Sequence, residues 1–121
     1  MNHSTYRISL DIHDICAPAA LYLKSEDTNR QIRATLMEKG VPYEITNDCS
    51  ASFIAKLPDG TVVKDGCTIE GNTIIYNMSD QVSAAGGKVD CEFLLTDTST
   101  NRLTSPSFCL IVNLSIGGGQ A

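Results

Sequence analysis

The chain has 121 residues, the size of a single domain with one modest core, and 42% of them are hydrophobic. Nine basic and fourteen acidic side chains give a net charge of −5, which disfavours a nucleic-acid partner because such a protein needs a basic surface to neutralise phosphates. No apolar run approaches the ~20 residues of a membrane span, and the N-terminal residues lack the basic-then-apolar order of a secretory signal, so we expect synthesis in a cytosol and no membrane association.

Alternation of apolar and polar residues predicts a half-buried strand over Tyr6–Ile12. The stretch His13–Ala17 breaks this alternation, and Pro18 reinforces the break. Ala20–Lys24 is then predicted as a second, short strand. The beginning of the chain is therefore interpreted as two strands separated by an irregular segment.

The segment Arg30–Lys39 alternates again, and its predicted inner face carries Ile32, Ala34 and Leu36. A helix competes with this strand because the residues have good helix propensity, but the strands on both sides favour a strand here. Val41–Ile45 follows as a short edge-like piece, because Pro42 has no N–H to donate to a ladder.

A hairpin is predicted within Ala51–Thr68, where two apolar-rich runs flank Pro58, Asp59 and Gly60. Pro58 presets the φ angle that the second position of a type I turn needs, and Asp59 can accept a hydrogen bond from the nearby backbone. Gly60 accepts a positive φ without a Cβ clash. These three residues are interpreted as a structural turn that connects two strands.

Two further turns are predicted after this hairpin. Asp65-Gly66 is interpreted as the first, followed by a short strand over Cys67–Ile69. Gly71-Asn72 is a strong hairpin connector, and Thr73–Met78 is the predicted return strand.

The most convincing helical signal lies near residues 80–85. Ser79 is a candidate N-cap, and Gly86 can supply a left-handed stop. About two turns fit between these residues, so the helix is expected to be a connector.

The C-terminal part contains two long predicted strands. The first is Lys88–Thr96, and it ends at a polar turn over Asp97–Asn101. Pro106 precedes the second, Ser107–Leu114. Their predicted inner faces carry Val89, Cys91, Phe93, Leu95, Phe108, Leu110, Val112 and Leu114.

Eight or nine short strands with a turn about every ten residues predict an all-β fold. We expect an antiparallel β-sandwich of the immunoglobulin-like or jelly-roll-like kind, with one short helix near 80–85. Residues 1–116 are predicted to form this single domain, and the glycine-rich residues 117–121 are predicted to form a flexible tail.

The sequence offers no convincing catalytic or metal site. The five cysteines are scattered without CxxC or CxxH spacing, so each is interpreted as a small hydrophobic residue. Asp90 and Glu92 alternate with apolar residues and are expected on a solvated face, and His13 is expected in an exposed turn. We therefore predict no enzyme activity, no cofactor and no metal.

The ordered set of segments resembles a known family over nearly the whole chain, from Tyr6 to Leu114. It is similar to the N-terminal domain of phage baseplate upper proteins, from tailed phages of Gram-positive bacteria. The resemblance is carried by Glu26–Arg30, Met37–Ile45, Ala55–Val62, Ala84–Val89 and Ser105–Phe108.

This resemblance implies a β-sandwich without catalysis in the virion tail baseplate, assembled in the host bacterial cytoplasm. It implies docking on the distal tail core and a link towards receptor-binding proteins, with other baseplate proteins as partners. Family members form trimers through downstream regions that also carry the receptor-binding proteins. Those regions have no counterpart before Ala121, so the sequence leaves open trimer formation and whether the chain is a piece of a longer protein.

A carbohydrate-binding or adhesin-like β-sandwich is the alternative function, since a fold class alone does not exclude it. The docking surface also stays open at this point. Either the strand Tyr6–Ile12 or the short piece at Pro42 could add to a partner's sheet, because exposed strand edges favour pairing.

Overall fold

The computed structural model describes residues 4–14, 16–24 and 30–113. These residues form an all-β fold of ten strands and one short helix. The predicted all-β class is therefore confirmed, the β-sandwich arrangement is not, and the predicted strand number of eight or nine is too low. The elements are β1 (Ser4–Asp11), β2 (Cys16–Lys24), β3 (Arg30–Glu38), β4 (Val41–Pro42), β5 (Ser50–Lys56), β6 (Val62–Glu70), β7 (Thr73–Asn77), α1 (Asp80–Ser83), β8 (Gly87–Thr96), β9 (Arg102–Thr104) and β10 (Ser107–Asn113).

The strands form one hydrogen-bonded path in the order β1-β3-β7-β6-β5-β8-β10-β2. The short strands β4 and β9 pair with β3 and β8 beside this path. Pairing is antiparallel along the middle of the path, but β1–β3 and β10–β2 at its two ends are parallel. The expectation of an antiparallel arrangement throughout is therefore wrong at both ends.

The sheet must curl, because β1 and β2 stand at opposite ends of the path yet are joined by residues 12–15 alone. Five Cα steps from Asp11 to Cys16 span at most about 18 Å. In a flat sheet, seven inter-strand steps of about 4.8 Å would separate β1 from β2 by about 34 Å. The result is a nearly closed, barrel-like sheet.

One hydrophobic cluster fills the inside of this curled sheet and includes residues of both end strands and of every long strand between them. Four aromatic rings lie at its centre. Phe53 of β5 stacks on Tyr76 of β7, with centroids 4.0 Å apart and planes 12° apart. Phe93 of β8 stacks on Phe108 of β10 at 5.5 Å and packs edge-on against Phe53. The Phe53 and Tyr76 rings can stack because the curl turns the inner faces of β5 and β7, which are not adjacent, towards each other.

The strands β3, β7 and β8 are found where the sequence predicts strands. The segment beginning at Arg30 is a strand and not a helix, and Ile32, Ala34 and Leu36 on its inner face are buried. The strand β7 follows Gly71, whose φ of +61° is left-handed as the hairpin connector requires. In β8 the predicted inner residues Val89, Cys91, Phe93 and Leu95 are all buried.

The predicted turn at Asp65-Gly66 is wrong, because β6 continues through both residues to Glu70. The sequence misleads here because Asp65 occupies an inward position of the strand. There its carboxylate accepts a hydrogen bond from the Tyr76 hydroxyl, so a charged residue interrupts the apolar face. Between Cys67 and Thr68, β6 changes its partner from β5 to β7.

Three other boundaries differ from the prediction. The strand β2 begins at Cys16 and includes Pro18, where a break was expected. The three-residue strand β9 was missed because it is too short for a period-two pattern. The helix α1 is a single turn, and the Ser79 side chain does not cap it. Leu114 and the predicted tail at 117–121 lie outside the described residues.

Tyr76 anchors a buried polar network beneath α1. Its ring is 1% exposed, and its hydroxyl donates to Asp65 Oδ2 at 2.5 Å. The Tyr76 hydroxyl oxygen in turn accepts the Ser79 backbone N–H at 3.2 Å. Burial, and then the hydrogen bond to Asp65, raise the pKa of the Tyr76 phenol well above its ordinary value. The phenol therefore stays protonated and remains a hydrogen-bond donor.

We expect Tyr76→Phe to lower the free energy of unfolding by about 1–3 kcal/mol, because it leaves the Asp65 carboxylate and the Ser79 N–H without their buried partner. Urea denaturation of both proteins measures the difference. The matched control is Tyr43→Phe, at a half-buried position away from this network, and a loss of equal size there would contradict the assignment.

Gly60 lies in the turn before β6 and Gly66 lies within β6. Substitution by alanine should affect stability differently at the two positions. Gly60 has φ of +91° and Gly66 has no left-handed φ, although neither has a neighbour within 4 Å of an added Cβ. Gly60→Ala should destabilise the protein by about 1–2 kcal/mol through backbone strain, and Gly66→Ala should be neutral or stabilising. Thermal unfolding compares them, and equal losses would contradict the description of β6 as one continuous strand.

Candidate functional site

The residues Pro58, Asp59 and Gly60 lie between β5 and β6. The Gly60 N–H donates to the Leu57 carbonyl at 2.9 Å, and the Leu57 N–H donates to the Thr61 carbonyl at 2.8 Å. The Asp59 carboxylate accepts the Thr61 N–H at 2.9 Å, and this bond lowers the pKa of Asp59. The polar groups of the turn are thus used within the turn itself.

The same turn also approaches the start of β8. A Cβ added to Gly87, which has φ of +121°, would lie 3.2 Å from Pro58 Cγ. Glycine suits position 87 for two reasons. Its backbone has a left-handed φ, and a side chain there would crowd the Pro58 ring. One side of the Pro58 ring thus approaches Gly87, although Pro58, Asp59 and Gly60 are exposed.

Burial suppresses the ionisation of two of the described cysteines. Cys49, Cys67 and Cys91 form no disulfide. Burial, and then the nearby Asp65 charge, raise the pKa of Cys67 to about 12. Burial also raises the pKa of Cys91. At neutral pH both are protonated, so neither is an activated nucleophile.

The histidine segment after β1 forms a hydrogen-bonded turn. Asp11 accepts the backbone N–H groups of His13 and Gly40 at 3.0 and 3.1 Å, and the His13 bond is the largest cause that lowers the pKa of Asp11. The His13 ring lies 3.3 Å from the exposed carboxylate of Glu38. In residues 4–14, 16–24 and 30–113, no three His, Cys, Asp or Glu side chains are arranged to hold a metal ion.

Two shallow clefts border the loop of residues 43–49. Both are lined by Ile45, Thr46 and Cys49. Asp48 of this loop accepts hydrogen bonds from the hydroxyls of Thr46 and Thr98, at 2.6 and 3.0 Å, and the Thr46 bond is the largest cause that lowers its pKa. Through these hydrogen bonds the Asp48 carboxylate connects the loop to the β8–β9 turn, so its role here is structural.

Two long strands are paired on one side only within the described part of the chain, namely β1 and β2 at the ends of the path. The two-residue strand β4 at Pro42 is also paired on one side only, with Met37 and Glu38 of β3. The other side of β3 is covered by β1. Both edges that the sequence left open therefore remain candidates, and they differ in length, with eight paired positions in β1 and two in β4.

The two open edges are not equivalent. The strand β2 contains Pro18, and its pairing with β10 shifts register between Ser107 and Cys109. Both features discourage the addition of another strand. By contrast, β1 pairs with β3 through eight consecutive positions without a shift and contains no proline. Its outer edge is long and regular, and no described strand pairs with it.

The sequence-predicted residues Pro58, Asp59 and Gly60 are thus found in a local turn and are not brought together with other reactive groups. The sequence alone could not show that β1 and β2 are the end strands of the sheet. It does show that Tyr6–Ile12 contains no proline, whereas the next strand contains Pro18, and this difference separates a regular strand from an irregular one. No helix among the described residues has the length and apolar character needed to span a bilayer.

Comparison with known proteins places this domain in a family. A structure described as the N-terminal domain of phage TP901-1 ORF48 matches with a TM-score of 0.76 and 18% identity, over 91% of this chain and 98% of that one. No curated protein matches the sequence. The family model described as the BppU N-terminal domain matches residues 5–120. The chain therefore belongs to the family of N-terminal domains of phage baseplate upper proteins, which are structural components of the virion tail.

Proposed function

We propose that this domain is a structural adaptor of the baseplate, which docks on the distal tail core and links it towards receptor-binding proteins. The observation that carries the proposal is the family match over residues 5–120. Assembly with other tail proteins takes place in the host bacterial cytoplasm. The adaptor role requires a rigid body with exposed contact surfaces and requires no reactive centre.

Absence of catalysis is part of the proposal, and the side-chain chemistry supports it. The carboxylates of Asp11, Asp48 and Asp59 accept hydrogen bonds from neighbouring turns and loops. The buried thiols are protonated, and the Tyr76 phenol serves the buried network. Groups that could perform chemistry are therefore used to fix the fold.

We further propose that residues 1–116 act as one domain and that 117–121 form a flexible connection. The Pro58-Asp59-Gly60 turn is then a corner of the scaffold and not a ligand-binding loop. Its internal hydrogen bonds and the approach of Pro58 to Gly87 support this role.

No observation favours the carbohydrate-binding alternative. A sugar platform usually presents aromatic rings to solvent. Among the described residues, Tyr22 at 64% exposure is the strongly exposed aromatic side chain, while Phe53, Phe93 and Phe108 pack in the core.

The test mixes the purified chain with each distal tail protein of its phage and measures complex mass by size exclusion with light scattering. We expect a stoichiometric complex with at least one of them and none with head proteins from the same phage, which serve as the control. Failure to bind any tail protein, combined with saturable binding to host cell-wall polysaccharide, would overturn the adaptor role in favour of the carbohydrate-binding alternative.

A further inference from the structure

The 43–49 loop crosses one end of the curled sheet. It leaves β4, which pairs with the end of β3, and enters β5, which lies three positions further along the strand path. On the way it passes the β6–β7 hairpin, since a third cleft beside the loop is lined by Ile45 together with Gly71 and Asn72 of that hairpin. The loop therefore lies over the end of the sheet where β6 and β7 are joined.

A single side chain anchors the middle of this loop in the core. Ile45 is 9% exposed and belongs to the hydrophobic cluster. The residues beside it, Glu44 and 46–48, are exposed. Tyr43 and Cys49, at the two ends of the loop, are only partly buried against the cluster. The apolar contact that holds the middle of the loop down is therefore that of Ile45.

Backbone hydrogen bonds fix one end of the loop and leave its middle unpaired. The Tyr43 N–H donates to the Leu36 carbonyl of β3 at 3.0 Å, and the Cys49 N–H donates to the Thr46 carbonyl within the loop at 3.2 Å. Among the residues that the structure describes, no backbone group of 44–48 is bonded to another element. Opening such a segment breaks no ladder, so it costs less free energy than opening a paired strand.

Open space lies along both flanks of the loop. A cleft of about 420 Å³ separates it from Cys67 and Ile69 of β6. A second cleft, of about 340 Å³, separates it from Leu95 of β8 and Leu103 of β9. The loop thus lacks the close packing on its flanks that holds an interior segment in place.

One carboxylate connects the loop to the neighbouring turn. Asp48 Oδ2 accepts the Thr98 hydroxyl at 3.0 Å, and the Thr98 N–H approaches the same oxygen at 3.5 Å. Asp48 Oδ1 accepts the Thr46 hydroxyl, which keeps the carboxylate oriented from within the loop. In the described part of the chain, these are the side-chain hydrogen bonds that join residues 44–48 to another element.

We infer that the 43–49 loop opens and closes as a unit while the rest of the fold stays intact. The Ile45 anchor and the Asp48–Thr98 hydrogen bond hold it closed. Because Ile45, Thr46 and Cys49 line both flanking clefts, opening joins these clefts into one recess and uncovers Cys67 of β6. The inference concerns the isolated chain and does not depend on the adaptor role.

Two cysteines report on this motion from different depths of the fold. Cys67 lies in the cleft beneath the loop, where burial and the Asp65 charge raise its pKa to about 12. Its thiol therefore reacts slowly while the loop is closed. Cys91 is 2% exposed inside the curled sheet, away from the loop. Reagent reaches Cys91 only when the sheet itself unfolds.

The test is alkylation of the full chain with iodoacetamide, followed by mass spectrometry of tryptic peptides, which Lys88 separates into one with Cys67 and one with Cys91. In wild type, Cys67 should be modified at least about 10-fold faster than Cys91. Urea below the unfolding midpoint should accelerate Cys91 steeply and Cys67 little, because local opening exposes little surface. Equal rates with the same urea dependence would overturn the inference.

Variants of the loop test what holds it closed. Asp48→Ala should accelerate modification of Cys67 about five-fold, the factor expected for one hydrogen bond. Combining it with Thr98→Val should add nothing, because both changes remove the same contact. The matched control is Glu44→Ala, which removes an exposed carboxylate from the same loop and should leave the rate unchanged. An Asp48→Ala rate no higher than that of Glu44→Ala would contradict the inference.

A variant at the opposite end of β5 separates local opening from a general loss of stability. Gly60→Ala strains the β5–β6 turn, which stays folded when the 43–49 loop opens. It should therefore accelerate modification of Cys91 and leave that of Cys67 unchanged. Equal acceleration of both cysteines by Gly60→Ala would show that Cys67 is exposed only by global unfolding, and the inference would fail.

Discussion

A connection of four residues, 12–15, joins the two strands at opposite ends of the sheet, and the remainder of the fold depends on it. Because so short a segment cannot cross a flat sheet of eight strands, the sheet curls until its ends approach. The curl turns one face of every long strand towards a common core. It also allows Phe53 and Tyr76 to stack although β6 lies between their strands in the path.

The curl of the sheet also bears on its polar groups. The curled sheet encloses a small interior, and the Asp65 carboxylate on its inner face accepts a hydrogen bond from the Tyr76 hydroxyl. At the periphery, Asp11, Asp48 and Asp59 each hold backbone N–H or hydroxyl groups of nearby turns and loops. These carboxylates stabilise connections between strands. The domain thus combines one packed core with a long, regular end strand, β1.

The sequence predicted well those features that depend on neighbouring residues. Alternation identified β3 and β8, and the turn chemistry of Pro58-Asp59-Gly60 identified the β5–β6 hairpin. It failed where distant residues decide the outcome. Asp65 looks like a turn residue until Tyr76 supplies its partner, and the parallel pairing at both ends of the sheet has no local signature. The family resemblance is confirmed over residues 5–120, but the identity of the two end strands, β1 and β2, is known only from the strand order.

The most direct test of this account is residue-resolved amide hydrogen exchange of β1 in the dilute chain. The central claim is that β1 is an end strand of a curled sheet, paired through β3 on one side. The amides of Tyr6, Ile8 and Leu10 should be protected by β3, and those of Arg7 and Ser9 should exchange rapidly. Uniform protection of all five amides would contradict this claim.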